Sequence, residues 1–170
     1  MKSSLLAAIC LLLPLSHPLS ASESLLLHST QKIITQPDFK QPLGTEWSTG
    51  KGKWEPLEGT LKVTDIPDEH HIPVLHLATG QVDLIWECEF LFNAGKSFLV
   101  GCDAQKHVGR VVIGPKSFKI CEDSIEVKGK TPIHTLTETA VDLNADEWHK
   151  LRVESIGDQI AARLDGVELQ

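Results

Sequence analysis

Val82-Asp83-Leu84-Ile85-Trp86-Glu87-Cys88-Glu89-Phe90-Leu91-Phe92 is the stretch whose reading decides the fold. Its even positions are Val, Leu, Trp, Cys, Phe and Phe, and its odd positions are Asp, Ile, Glu, Glu and Leu. Apolar side chains at every second position mark a β-strand with one face on a core. Such a rib needs other strands to pack against, and its flanks supply them. From Trp47 onward, turn-forming residues recur at Gly50-Lys51-Gly52, Glu58-Gly59, Thr79-Gly80, Asn93-Ala94-Gly95-Lys96, Asp103-Ala104-Gln105-Lys106, Gly114-Pro115, Lys128-Gly129-Lys130, Gly157-Asp158 and Asp165-Gly166. Turns spaced roughly 8–12 residues apart predict many short antiparallel strands closing into a sandwich or barrel.

The strands between those turns are readable one by one. Residues 53–57 and 60–64 form a hairpin about Glu58-Gly59, and 73–78 precede the rib at 81–92. Strands at 97–102, 107–113 and 117–121 follow, then weaker ones at 124–128 and 135–143. A last hairpin joins 148–154 to 159–164 through Ile156-Gly157-Asp158. An edge strand is expected at 24–28, and a capped turn at Asn144, whose side chain is a good cap. No repeat, low-complexity tract or linker divides the chain.

The first 22 residues read as an export leader: Lys2 near the start, an apolar run from Leu5 to Leu15, then small residues at Ser20-Ala21-Ser22. The apolar run is too short to span a bilayer, and Cys10 lies too early for a lipid anchor, so no membrane anchor is expected. Cleavage near Ala21 or Ser22 places the product in the periplasm or outside the cell. Removing 22 of 170 residues leaves 148, one domain at 23–170, large enough to hold a core without metal or disulfide. Losing Lys2 takes the net charge from −7 to −8, which argues against nucleic acid or an anionic membrane as a partner. Cys88, Cys102 and Cys121 survive processing, an odd number, so at least one is free. Cys88 lies on the apolar rib as a small hydrophobe, and Cys102 can pair with Cys121 only if their strands are neighbours.

Two segments together resemble a known family. Trp54-Glu55-Pro56-Leu57-Glu58-Gly59-Thr60-Leu61 is similar to the opening of the secreted bacterial 3-keto-disaccharide hydrolase domains. Asp146-Glu147-Trp148-His149-Lys150-Leu151-Arg152-Val153-Glu154, followed by Gly157-Asp158-Gln159-Ile160 and Leu164-Asp165-Gly166, resembles the closing hairpin of concanavalin A-like lectins and glucanases. The resemblance covers most of residues 39–170. It implies an all-β, antiparallel jelly roll, a glycoside or other carbohydrate as partner, no cofactor, and Trp54 and Trp148 in the core. The family's Asn-Ser-Gly-Ile segment with its following arginine is replaced here by Asn93-Ala94-Gly95-Lys96-Ser97-Phe98-Leu99-Val100. Relatives also continue past the Asp165-Gly166 turn with a strand or two that close the sandwich, so the chain is expected to lack these.

Candidate chemistry is sparse. Glu87 and Glu89 stand two apart on one strand face, about 6.6–6.8 Å between backbones, within the separation that glycosidase carboxyl pairs use. Their alternative role is a solvated sheet face. The glucanase pattern of Glu-x-Asp with a further Glu is incomplete here. His107 can serve as a base or a sugar hydrogen-bond donor, or simply sit at the surface after a polar turn. Arg110, three residues on, is a sugar-binding candidate. Among the tryptophans, Trp86 belongs to the core, contributing roughly 1.5–3 kcal/mol by burial, and Trp47 is the best candidate to stack on a sugar ring. The absence of tyrosine is unusual for a sugar-binding surface. His70, His71 and His76 lack the same-face spacing of a metal site, and no nucleophile elbow, phosphate loop or paired CxxC occurs. Two functions stay open: an exported glycoside hydrolase using Glu87, Glu89 and His107 as acid, base or sugar ligand, and a non-catalytic module that binds a glycan or a protein partner.

Overall fold

The structure is a computed structural model that describes residues 9–13, 26–28, 32–81, 83–103, 107–123 and 133–170. Among these residues, thirteen strands run in the order β1 (Ile9–Leu13), β2 (Trp47–Lys51), β3 (Lys53–Leu57), β4 (Thr60–Thr64), β5 (Val74–Leu77), β6 (Leu84–Leu91), β7 (Phe98–Asp103), β8 (His107–Gly114), β9 (Ser117–Asp123), β10 (Ile133–Ala140), β11 (His149–Ile156), β12 (Gln159–Leu164) and β13 (Val167–Leu169). Helix is confined to one 3-10 turn, Pro67–Glu69, among the described residues. The strands form a seven-stranded sheet ordered β13-β12-β11-β6-β1-β4-β3, a four-stranded sheet ordered β10-β9-β8-β7, and the pair β2-β5. Every pairing is antiparallel.

The rib behaves as its alternation requires. Cys88, Phe90 and the following Phe92 are buried, while Glu87, Glu89 and Leu91 between them are only partly so. Phe90 and Leu61, with Leu151 and Leu164, face Val111, Ile113, Phe118 and Ile120 of the four-stranded sheet in one core. Phe90 and Phe98 stack across the two layers with ring centres 4.5 Å apart. The arrangement is an all-β, sandwich-like packing of antiparallel sheets.

Turn chemistry sets the hairpins. Glu58 and Gly59 have φ of 51° and 79°, and Asp165 and Gly166 have 47° and 87°. Two consecutive positive φ values make the two-residue turn whose twist matches paired strands. The second of these turns folds Val167–Leu169 back onto β12 as β13, a strand absent from the sequence expectation. Trp47–Lys51 likewise pairs with β5 as an unforeseen strand. Residues 26–28 are not a strand, contrary to expectation, because their N–H groups are taken by a side chain, as described below. The expected strand at 124–128 lies outside the described residues. The Asn144 turn forms: Glu147 N–H donates to the Asn144 carbonyl and Asp146 N–H to its Oδ1.

The conditional pairing of Cys102 with Cys121 is ruled out, and one further expectation is corrected. Cys102 on β7 and Cys121 on β9 are separated by β8, so their strands are not neighbours, and Cys88, Cys102 and Cys121 are all free thiols. Trp148 is not a core residue: it precedes β11 and is exposed, whereas Trp54 does pack against the core. The apolar run read as a leader supplies β1, which lies between β4 and β6.

Candidate functional site

The acidic face of β6 is the first place to look for chemistry. Glu87 and Glu89 alternate with buried Cys88 and Phe90, so they lie on the sheet face away from the second layer. Across that face, Glu87 is in register with Arg152, Arg152 with Arg163, and Arg163 with Glu168. Arg152 Nη1 donates to Glu87 Oε1 at 2.6 Å, and its Nε donates to Glu154 Oε1 at 2.6 Å. Arg163 Nε donates to Glu168 Oε1 at 2.8 Å. Glu89 lies opposite Lys150. The row is a ladder of ion pairs in which Arg152 engages Glu87.

Glu154 is the most unusual group on this face. Its side chain is wholly buried, yet it carries a full set of donors. The backbone N–H groups of Leu26, Leu27 and His28 donate to it at 2.9, 2.8 and 2.9 Å. His28 Nε2 donates to the Ser155 carbonyl at 2.8 Å, which fastens the same segment a second time. Burial pushes the Glu154 carboxyl up, but the three backbone N–H groups and the Arg152 guanidinium outweigh it and bring the pKa down to about 2. This is an anchor for the N-terminal segment. The sequence showed Glu154 only as one charge in an alternating strand, and alternation alone does not tell a buried carboxylate from a solvated one.

The remaining candidates lie elsewhere. His107 opens β8 and pairs through its backbone with Asp103, in the four-stranded sheet. It therefore belongs to a different layer from Glu87 and Glu89, whose side chains face outward from theirs. Arg110 alternates with the buried Val111 and forms an ion pair with Asp123, whose side chain is almost wholly buried. That pair is on the outer face of the four-stranded sheet. The strands thus do not gather Glu87, Glu89, His107 and Arg110 into one cleft. His70, in the left-handed region at φ 50°, ends the 3-10 turn, and among the described residues no group of three or more His, Cys, Asp and Glu side chains is placed to hold a metal.

Trp47 is different. It sits on β2 edge-on to Trp86, ring centres 6.1 Å apart and planes at 72°. Both indoles line a cavity of about 780 Å³ between the layers, at the end of the sandwich where β6 begins. Leu61, Leu75, Leu77, Val100 and Val153 make its apolar walls, and Lys32, Gln36, Gln81, Asp83 and Glu87 supply polar groups. Trp86 Nε1 is buried with no hydrogen-bond partner among the described residues. A buried donor left unsatisfied costs roughly 1–3 kcal/mol. A pocket of this size with few polar groups suits a small molecule.

The fold and this cavity define an antiparallel all-β protein with an inter-layer pocket. No family model, curated protein or solved structure matches the chain. Among the described residues no helix is long and apolar enough to cross a membrane.

Proposed function

We propose that this chain is an exported jelly-roll module of the concanavalin A-like kind that binds a carbohydrate or glycoside without hydrolysing it. The observation that carries the reading is the cavity walled by Trp47 and Trp86. Indole rings in an apolar cavity suit the apolar side of a sugar ring. A hydrolase of the 3-keto-disaccharide type, the other reading of the sequence, requires its acid and base on the same bond. The ion pair on Glu87 and the placing of His107 in the other layer favour binding over turnover.

The test is tryptophan fluorescence titration with a glycan panel that includes 3-keto-glycosides, alongside chromatography for released sugar. Saturable quenching without product is expected, and Trp47→Ala should weaken the affinity at least tenfold. Released sugar would replace the binding module with the hydrolase, and a flat titration across the panel would remove both.

A further inference from the structure

The seven-stranded sheet has an unusual joint. Among the described residues, the β3–β4 hairpin connects to the rest of the sheet only through β1. Ile9, Cys10, Leu11 and Leu12 are in register with Thr64, Val63, Lys62 and Leu61 of β4. Leu11, Leu12 and Leu13 are in register with Leu91, Phe90 and Glu89 of β6. Neighbouring strands lie about 4.8 Å apart, so β4 and β6 stand roughly 10 Å apart. That gap admits one strand and is too wide for β4 and β6 to hydrogen-bond each other directly.

The joint is at the centre of the sandwich. Leu61 and Phe90, the two register partners of Leu12, are both fully buried. Without an intervening strand, two rows of backbone N–H and C=O groups would face each other unpaired inside the protein, which folded chains avoid. The segment that fills the gap is also the segment that reads as a removable leader. Both readings hold at once only if the gap accepts a strand rather than owning one.

We propose that the gap between β4 and β6 is a strand-acceptor site. Ile9–Leu13 fills it in the unprocessed chain, and the same apolar segment, supplied as a separate peptide, fills it in trans when the covalent copy is displaced. Recognition is by strand addition: main-chain hydrogen bonds antiparallel to both walls give the affinity, and the Leu61/Phe90 position demands an apolar residue in register with it.

Amide hydrogen exchange on the full-length chain tests this. In Leu12→Pro, protection at residues 61–63 and 89–91 should fall at least tenfold, while residues 110–113 and 118–121 of the four-stranded sheet stay protected. A synthetic peptide of residues 7–15 should restore the lost protection. Unchanged protection in the variant, or no recovery with peptide, overturns the proposal. Should Leu12→Pro lose protection throughout, Val63→Cys gives an independent measurement. Position 63 is the backbone register partner of Cys10, and mild oxidation of the unprocessed chain should yield a disulfide between the two by peptide mapping. A chain in which the introduced thiol stays free overturns the proposal equally.

Discussion

The two ends of β6 carry the same alternation and are packed in opposite ways. At the C-terminal end, Phe90 meets Phe92 edge-on at 5.2 Å, Phe98 face to face at 4.5 Å and the ring of His149 at 5.6 Å. His149 is itself held, with Nε2 donating to the Asn144 carbonyl at 2.8 Å and Nδ1 meeting Asp165 Oδ2 at 2.7 Å. At the N-terminal end, Trp86 is only half-buried, touches Trp47 edge-on at 6.1 Å and borders the cavity of about 780 Å³. One end of the strand is therefore a support and the other is a wall. Period-two alternation marks which side chains face inward, but whether they meet partners or space depends on the opposite layer.

That contrast is open to direct attack. Phe90→Ala should destabilise the protein by about 3–5 kcal/mol, as truncation of a fully enclosed aromatic does. Trp86→Phe should cost less than about 1 kcal/mol, because the ring it leaves is similar and the lost N–H has no partner among the described residues. Urea denaturation of both variants measures the difference, and equal losses would erase the distinction between the ends.

The Glu154 anchor gives the next largest effect. Its carboxyl is near 4.5 in the unfolded chain and about 2 when folded. A depressed pKa stabilises the fold above the unfolded value, and the gain is lost as pH falls toward the folded one. A shift of this size corresponds to up to about 3 kcal/mol. Glu154→Gln should lose about that much at neutral pH, and its stability should no longer fall steeply between pH 4.5 and 2. An unchanged acid limb would mean that other groups govern it.

A smaller pair of substitutions sharpens the comparison. Val100→Leu adds a methylene beside the cavity and should raise stability by roughly 0.5–1 kcal/mol, while weakening any ligand bound there. Val111→Leu adds the same group where Val111 is fully enclosed and should destabilise by about 1–3 kcal/mol. Differential scanning calorimetry of the two variants would reveal opposite shifts in Tm.

Much of the architecture was legible in the chain. The hairpin about Glu58-Gly59 forms between the predicted strands at Lys53–Leu57 and Thr60–Thr64, because a two-residue turn with glycine is a local signal. The strands from Phe98 to Asp123 were read to within a residue or two from their apolar runs and the turn residues between them. The chemistry was less legible. Glu87 looked like half of a carboxyl pair, since its partner Arg152 lies 65 residues away and no local pattern links them. Trp148 looked like core because the resemblance placed it there, yet β11 begins one residue later and leaves it outside. Residues 26–28 looked like a strand because apolar runs are common in strands, but their backbone donors answer to Glu154 rather than to a ladder.

That last contact also sets a timetable. Leu26 and Glu154 are 128 residues apart, about three-quarters of the 170-residue chain. At about 5–20 residues per second of synthesis, the N-terminal segment emerges on the order of ten seconds before its anchor exists. Throughout that interval its three N–H groups have only solvent or a chaperone to bind. The clasp is thus a late event in biogenesis, and it marks a chain whose synthesis has passed Glu154.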